Sequence, residues 1–180
     1  MTLYDEINAT RKAWAESDAK RDAGIPEPEG IRKIEDIVYT TSATKEEEPW
    51  HLTDIYFPEP WEGKDYPVIV SMHGGGWFYG DKKLYSLYTK YLASKGFAVV
   101  NFNYRLAPEY KYPCGFLDCC RLMDFLAKNA EQYRLDLNRL YMVGDSAGAQ
   151  LVSQYSIFAT SEEYRSLFEE AKDLTAPVPC

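Results

Sequence analysis

Three stretches of the chain are nearly unbroken apolar runs: VIVSM (68–72), FAVVNFNY (97–104) and RLYMVG (139–144). A strand wetted on one face alternates apolar and polar residues, whereas a strand covered on both faces need not, so these runs predict buried strands. Between them the period changes. Leu84, Leu87, Tyr88, Tyr91 and Leu92 recur at helical spacing, with Asp81 placed as N-cap and Gly96 as the stop. Pro113 opens a second helix whose inner face takes Phe116, Cys119, Cys120, Met123, Leu126 and Ala127. A third follows Ser146 and runs to about Phe158, and a last short amphipathic helix carries Tyr164, Leu167, Phe168 and Ala171.

Upstream, residues 2–22 read as a helix with Leu3, Ile7, Thr10 and Trp14 on one face and a Thr2/Asp5 capping box. GIPEPEG (24–30) is a linker, and IRKIEDIVYTT (31–41) and HLTDIYF (51–57) are strand-like. KEEEPW (45–50) reads as a polar turn, solvated over KEEE (45–48), and PWEGKDYP (60–67) as a loop. Strands alternating with helices predict a three-layer α/β fold: a five-stranded, mostly parallel sheet over 31–160 with helices on both faces. Residues 1–30 form an N-terminal helix and linker, and residues 31–180 the body.

Composition narrows the function. With 180 residues and 46% hydrophobic content, the chain is expected to bury the core of one globular domain. A net charge of −8 argues against nucleic acid and against anionic membrane surfaces as partners. No apolar run reaches membrane-spanning length, and the first residues lack a signal-peptide core, so the expected location is the cytoplasm. Cys114, Cys119, Cys120 and Cys180 do not form a disulfide framework or zinc-site spacing, so reduced thiols and no metal are expected.

Two motifs carry chemistry. Gly144-Asp145-Ser146-Ala147-Gly148 lies between a predicted strand and helix. A serine there sits on a sharp turn, with small residues two before and two after it letting strand and helix meet. Ser146 is the candidate nucleophile, and Gly144, Asp145 and Gly148 shape its turn. His73-Gly74-Gly75-Gly76-Trp77 follows the VIVSM strand. Successive glycines leave N–H groups unshielded, which suits an oxyanion hole, and the lack of a following GK[ST] or GxGxxG pattern disfavours a phosphate loop. Trp77, Phe78 and Tyr79 line the mouth of the site or pack beneath it.

With a third stretch, NYRLAPEYKYP (103–113), the chain resembles the hormone-sensitive-lipase-like family of α/β-hydrolase esterases. The resemblance implies a serine carboxylesterase that cleaves short-chain carboxylic esters through an acyl-enzyme, with N-terminal helices helping to cap the pocket and no cofactor. It makes Ser146 the nucleophile and the N–H groups of Gly75, Gly76 and Ala147 the oxyanion donors, with His73 and Gly74 supporting the loop. Ala149 stands where the family often has a further glycine.

The family's catalytic acid and histidine lie well downstream of the serine, whereas the two histidines here, His51 and His73, precede it. The expectation is an N-terminal portion of the family's domain, nearly inactive alone. Neither Asp145 nor Asp173 matches the family's acid, and His51 reads as a half-exposed strand histidine far from Ser146. The rival readings are a non-catalytic ligand-binding or interaction module on the same fold, and one half of a split esterase. The 139–144 strand is expected at an exposed edge, open to self-association or to a complementing C-terminal segment. Acyl and alcohol preferences stay open.

Overall fold

The computed structural model describes residues 2–61 and 63–180. Met1, at the start of the segment read for a signal peptide, and Glu62, within the loop expected at 60–67, lie outside the described residues. The strands are β1 (Ile31–Val38), β2 (Leu52–Pro58), β3 (Tyr66–Met72), β4 (Ala98–Phe102) and β5 (Leu135–Gly144). The helices are α1 (Leu3–Asp22), α2 (Ser86–Ala93), α3 (Cys114–Asn129), α4 (Ala147–Thr160) and α5 (Glu162–Arg165).

The strands form one mixed sheet in the order β1-β2-β4-β3-β5. β2 pairs antiparallel with both β1 and β4, while β3 pairs parallel with β4 and β5, so β2 alone opposes the other four. The sheet is therefore mostly parallel in direction, as the alternation of elements predicts. β5 starts four residues earlier than its apolar run, at Leu135 rather than Arg139. Its register against β3 breaks between Pro67 and Val68, which gives Leu137–Arg139 no opposite residue.

Alternate side chains of the central strands go to opposite faces. Val68, Val70, Met72, Val100 and Phe102 join the main core with Phe116, Met123 and Leu126 of α3 and Leu151, Tyr155 and Phe158 of α4. Ile69, Val99 and Tyr56 pack on the other face with Ala93 of α2. Ala127, assigned to the inner face of α3, is only partly buried, while Leu117 and Leu122 are in the core. Phe168 and Ala171 are buried as the last amphipathic segment requires, but Leu167 is 71% exposed because the helix ends at Arg165.

Charged residues are buried where the sequence suggests surface. The KEEEPW segment is not a solvated turn throughout: Glu47 is buried, accepting from the N–H of Ala43 and pairing with Arg105 at 3.1 Å. Arg105 in turn forks onto Asp118, which is fully buried and also takes Arg121. Burial opposes ionisation of Asp118, but its contacts with His51 and Arg105 outweigh that and hold its pKa below the usual carboxylate value. Asp81 caps the turn that precedes α2, accepting from the N–H groups of Lys83 and Leu84, so α2 starts later than its apolar face.

α1 has the predicted capping box at Thr2 and Asp5 but buries none of its residues. It rests on the body through Arg11, which donates to the carbonyls of Phe78 and Ala107 and pairs with both carboxylate oxygens of Glu109. Trp14 packs on the rings of Phe78 and Tyr79 at 5.1 and 5.6 Å between centroids.

The turn before α2 is pinned by Lys82, a buried ammonium 2.6 Å from Asp54 and 2.9 Å from Asp36. Burial opposes its charge, but the two carboxylates outweigh that and hold its pKa above the usual value. Removing one partner of a buried pair strands the other charge. Lys82→Met is expected to lower the free energy of unfolding by about 3 kcal/mol in urea titrations, leaving Asp54 buried without its counter-charge.

Candidate active site

Ser146 follows the end of β5 and precedes the first residue of α4. Its φ of 49° and ψ of −111° are costly for a residue with a Cβ, of order 1–3 kcal/mol. The surroundings enforce this geometry. A Cβ on Gly144 would lie 2.4 Å from the carbonyl carbon of Gly148, and one on Gly148 would lie 2.1 Å from the carbonyl oxygen of Met72. With hydrogen in both places, α4 closes onto the ends of β3 and β5 and the serine is turned outward, exposed. The turn is closed by the N–H of Gly148 on the carbonyl of Asp145 at 2.7 Å. Ala147 opens α4, so its N–H has no partner in the helix ladder.

The glycine loop is equally constrained. Gly75 and Gly76 have φ of 119° and 59°. A Cβ on Gly75 would lie 2.0 Å from the carbonyl oxygen of Tyr79. The carbonyl of Gly75 accepts from the N–H groups of Phe78 and Tyr79, which curls the loop into a turn. Among the described residues, none of the loop's hydrogen bonds uses the N–H of Gly75 or Gly76.

His73 lies beneath this loop, fully buried. Its Nδ1 is 2.7 Å from the carbonyl oxygen of Gly74, and its ring stacks on Tyr104 at 4.2 Å. The Tyr104 hydroxyl donates to the carbonyl of His73 at 2.7 Å. Burial pushes the imidazole down to about 4, against partial support from Gly74.

The loop and the serine turn meet in a cavity of roughly 340 Å³ lined by Ser146, Asp145, Gly74, Gly75, Gly76, Tyr79 and Tyr85. The rest of its wall is Leu84 and α1, which contributes Trp14, Ser17, Asp18 and Arg21. The Tyr79 hydroxyl donates to Asp18 at 2.8 Å and so ties α1 to the loop. Trp77, Phe78 and Tyr79 diverge: Tyr79 lines this cavity, Phe78 a larger one of about 650 Å³ under α1, and Trp77 a third of about 350 Å³ that shares Gly76.

Neither histidine lines the serine's cavity. His51 departs from its expected place in a half-exposed strand: it ends a 3-10 turn, is 2% exposed, and holds Ser42 at 2.7 Å through Nδ1. Its Nε2 is 3.4 Å from Asp118. The sequence HLTDIYF alternates too loosely to show that its first residue turns inward. Tyr85, Asp18 and Arg21 escaped sequence analysis because nothing local marks them; each reaches the site only through the fold. Among the described residues, no cluster of three or more His, Cys, Asp or Glu side chains could hold a metal ion. Among the same residues, no helix is long and apolar enough to cross a membrane.

A sheet in the order 1-2-4-3-5 with a serine at a strained strand-to-helix turn defines an α/β-hydrolase. The BD-FAE family model matches residues 53–177, and the chain belongs to this family of hormone-sensitive-lipase-like α/β-hydrolases. It is 37% identical over 105 residues to carboxylesterase NlhH of Mycobacterium tuberculosis, covering 56% of this chain and 33% of the relative. It is 39% identical over 104 residues to arylacetamide deacetylase of Bos taurus, covering 55% of this chain and 26% of the relative. The solved structure of esterase B from Lactobacillus rhamnosis, inhibited by a tributyrin phosphonate, superposes with a TM-score of 0.84 at 31% identity over 91% of this chain and 52% of that one. The chain thus spans a third or less of these curated relatives and about half of the solved structure.

Two outcomes follow from this packing. Gly148→Ala is expected to cost about 2 kcal/mol or more of stability, read by urea titration, because its Cβ would meet a main-chain oxygen that cannot yield. His73 takes up its proton more readily unfolded than folded, so it removes stability as pH falls from about 6.5 towards 4. The wild type should therefore lose stability over that window more steeply than His73→Gln, by about 3 kcal/mol in total.

Proposed function

We propose that the chain is the nucleophile-bearing part of a serine carboxylesterase acting on short-chain carboxylic esters. The observation that carries this is the meeting, in one cavity, of a serine at positive φ and a glycine loop whose free N–H groups border it. In this reading the Ser146 oxygen attacks the ester carbonyl and the resulting oxyanion is held by the N–H groups of Gly75, Gly76 and Ala147. The alcohol leaves with a proton, and water then releases the acyl group from Ser146. α1 caps the pocket, and the cavity of roughly 340 Å³ suits a small acyl or alcohol group. No cofactor takes part. Net charge of −8 supports a small-molecule substrate over nucleic acid, and the four free cysteines support a reducing, cytoplasmic setting.

A serine hydroxyl needs a base, and His51 and His73 are both buried in structural roles away from the cavity. The base and its orienting acid are therefore assigned to a segment outside residues 1–180. β5 is where that segment would dock. It pairs with β3 on one side; on the other, Cys180 donates to the carbonyl of Leu140. An edge strand covered only at that point accepts a further strand once Cys180 is displaced, from the same chain, a complementing chain or a second copy. The absence of a histidine from the cavity is also what favours the rival reading, a binding module that retains the fold without turnover.

The test is hydrolysis of p-nitrophenyl acetate by the 180-residue chain, alone and joined to a C-terminal segment that carries the family's Asp and His, each with a Ser146→Ala control. The chain alone should turn over about 10⁶-fold more slowly than the joined form, the loss typical of a serine hydrolase without its histidine. Ser146→Ala should remove the activity of the joined form. Activity that survives Ser146→Ala refutes the assignment, and ester binding without turnover in the joined form supports the binding module.

A further inference from the structure

We propose that Tyr85 is a positioning residue that locks the two halves of the oxyanion site together, an inference that rests on the serine-esterase reading. The two halves come from different strands: the glycine loop follows β3 and the serine turn follows β5. Met72 and Gly144 pair where the strands end, and past that point no backbone hydrogen bond joins the loops among the described residues. The Tyr85 hydroxyl supplies the missing link. It donates to Oδ2 of Asp145 at 2.7 Å and accepts from the N–H of Gly74 at 3.3 Å. The N–H of Gly74 can only donate, so it takes a lone pair of the hydroxyl and the hydroxyl proton goes to Asp145. The polarity of the bridge is therefore fixed.

Three groups converge at this point. A Cβ on Gly74 would lie 2.8 Å from Oδ2 of Asp145, 2.9 Å from its carbonyl oxygen and 3.2 Å from the Tyr85 hydroxyl. The residue beside the nucleophile is thus in direct contact with the residue beside the loop's N–H donors. Burial, and then the bond to Asp145, push the Tyr85 hydroxyl up to about 12, so it keeps its proton at any working pH. Tyr85 itself is held from behind: it follows the turn closed by the N–H of Leu84 on the carbonyl of Asp81, within which the Lys82 ammonium is fixed by Asp54 and Asp36, and its carbonyl accepts from the N–H of Thr89 in α2. The bridge therefore transmits the rigidity of the sheet to both loops. Oxyanion donors contribute only when they are already aimed at the developing charge, and a shift of a few tenths of an ångström between the loops would misalign one side.

The test removes the hydroxyl and keeps the ring, as Tyr85→Phe. The probe is phenylboronic acid, which bonds its boron to the Ser146 oxygen, releases the serine proton to solvent and leaves a tetrahedral anion in the oxyanion site. Its affinity is measured by calorimetry on the chain joined to a C-terminal segment that carries the family's Asp and His, as wild type, Tyr85→Phe and Ser146→Ala. Exchange of the Gly74 amide is followed by NMR alongside. Tyr85→Phe should weaken the boronate about tenfold and speed Gly74 exchange about tenfold, with the amides of β3 and α2 unchanged. Boronate affinity unchanged in Tyr85→Phe overturns the proposal when the wild type forms an adduct that Ser146→Ala loses. If wild type and Ser146→Ala bind alike, the esterase reading fails, and the bridge is then judged by Gly74 exchange alone, which overturns it if unchanged. Should Tyr85→Phe not fold, Asp145→Ala removes the same bridge from its other end and is held to the same outcomes.

Discussion

The contact between Gly148 and the carbonyl oxygen of Met72 is the constraint on which the site depends. There is no room for a Cβ at that point, and none at Gly144 opposite. Because both positions carry only hydrogen, α4 starts hard against the ends of β3 and β5. Ser146 has then to take a positive φ, and its side chain leaves the sheet. The same approach brings the first N–H of α4 beside the loop that follows β3. Strand pairing, serine strain and loop placement are consequences of one steric allowance rather than separate features.

Buried polar groups hold the scaffold around that point. Lys82 fixes the turn that delivers Tyr85, and Arg105 with Asp118 and Glu47 fixes the segment that follows β4. His73 serves the glycine loop by packing, stacked on Tyr104 and bonded to Gly74, and its low affinity for protons keeps it neutral there. These pairs are satisfied by several partners each, which is the condition under which buried charge is tolerated. α1 is different in kind. It contributes a wall of the cavity but no core residue, and a few polar and aromatic contacts hold it. Chain segments attached in this way open at lower cost than packed helices.

How far the sequence reveals this depends on the range over which each feature is determined. The central strands are legible because VIVSM and FAVVNFNY are apolar on both faces whatever surrounds them. The serine turn and glycine loop are legible because their steric demands fall on adjacent residues, which only glycine or another small residue can meet. Other features are set by distant partners. Glu47 lies in a run of acids that looks solvated until Arg105, far along the chain, is brought to it. His51 heads a segment with no clear alternation, and Asp118 and Ser42 draw it inward. Tyr85 falls off the apolar face of its helix pattern, so periodicity passes it over, although its hydroxyl joins two loops 60 and 11 residues away. The early start of β5 is hidden because a register break interrupts its pairing with β3.

The central claim is that Ser146 is a nucleophile presented to a preformed oxyanion site. The most direct measurement is the mapping, by peptide mass spectrometry, of the adduct formed when the chain joined to a C-terminal segment that carries the family's Asp and His is treated with an alkyl p-nitrophenyl phosphonate. The account predicts a single phosphonylated residue, Ser146, with p-nitrophenol released in equal amount, and no adduct in Ser146→Ala. An adduct on another residue, or one that persists in Ser146→Ala, would contradict it.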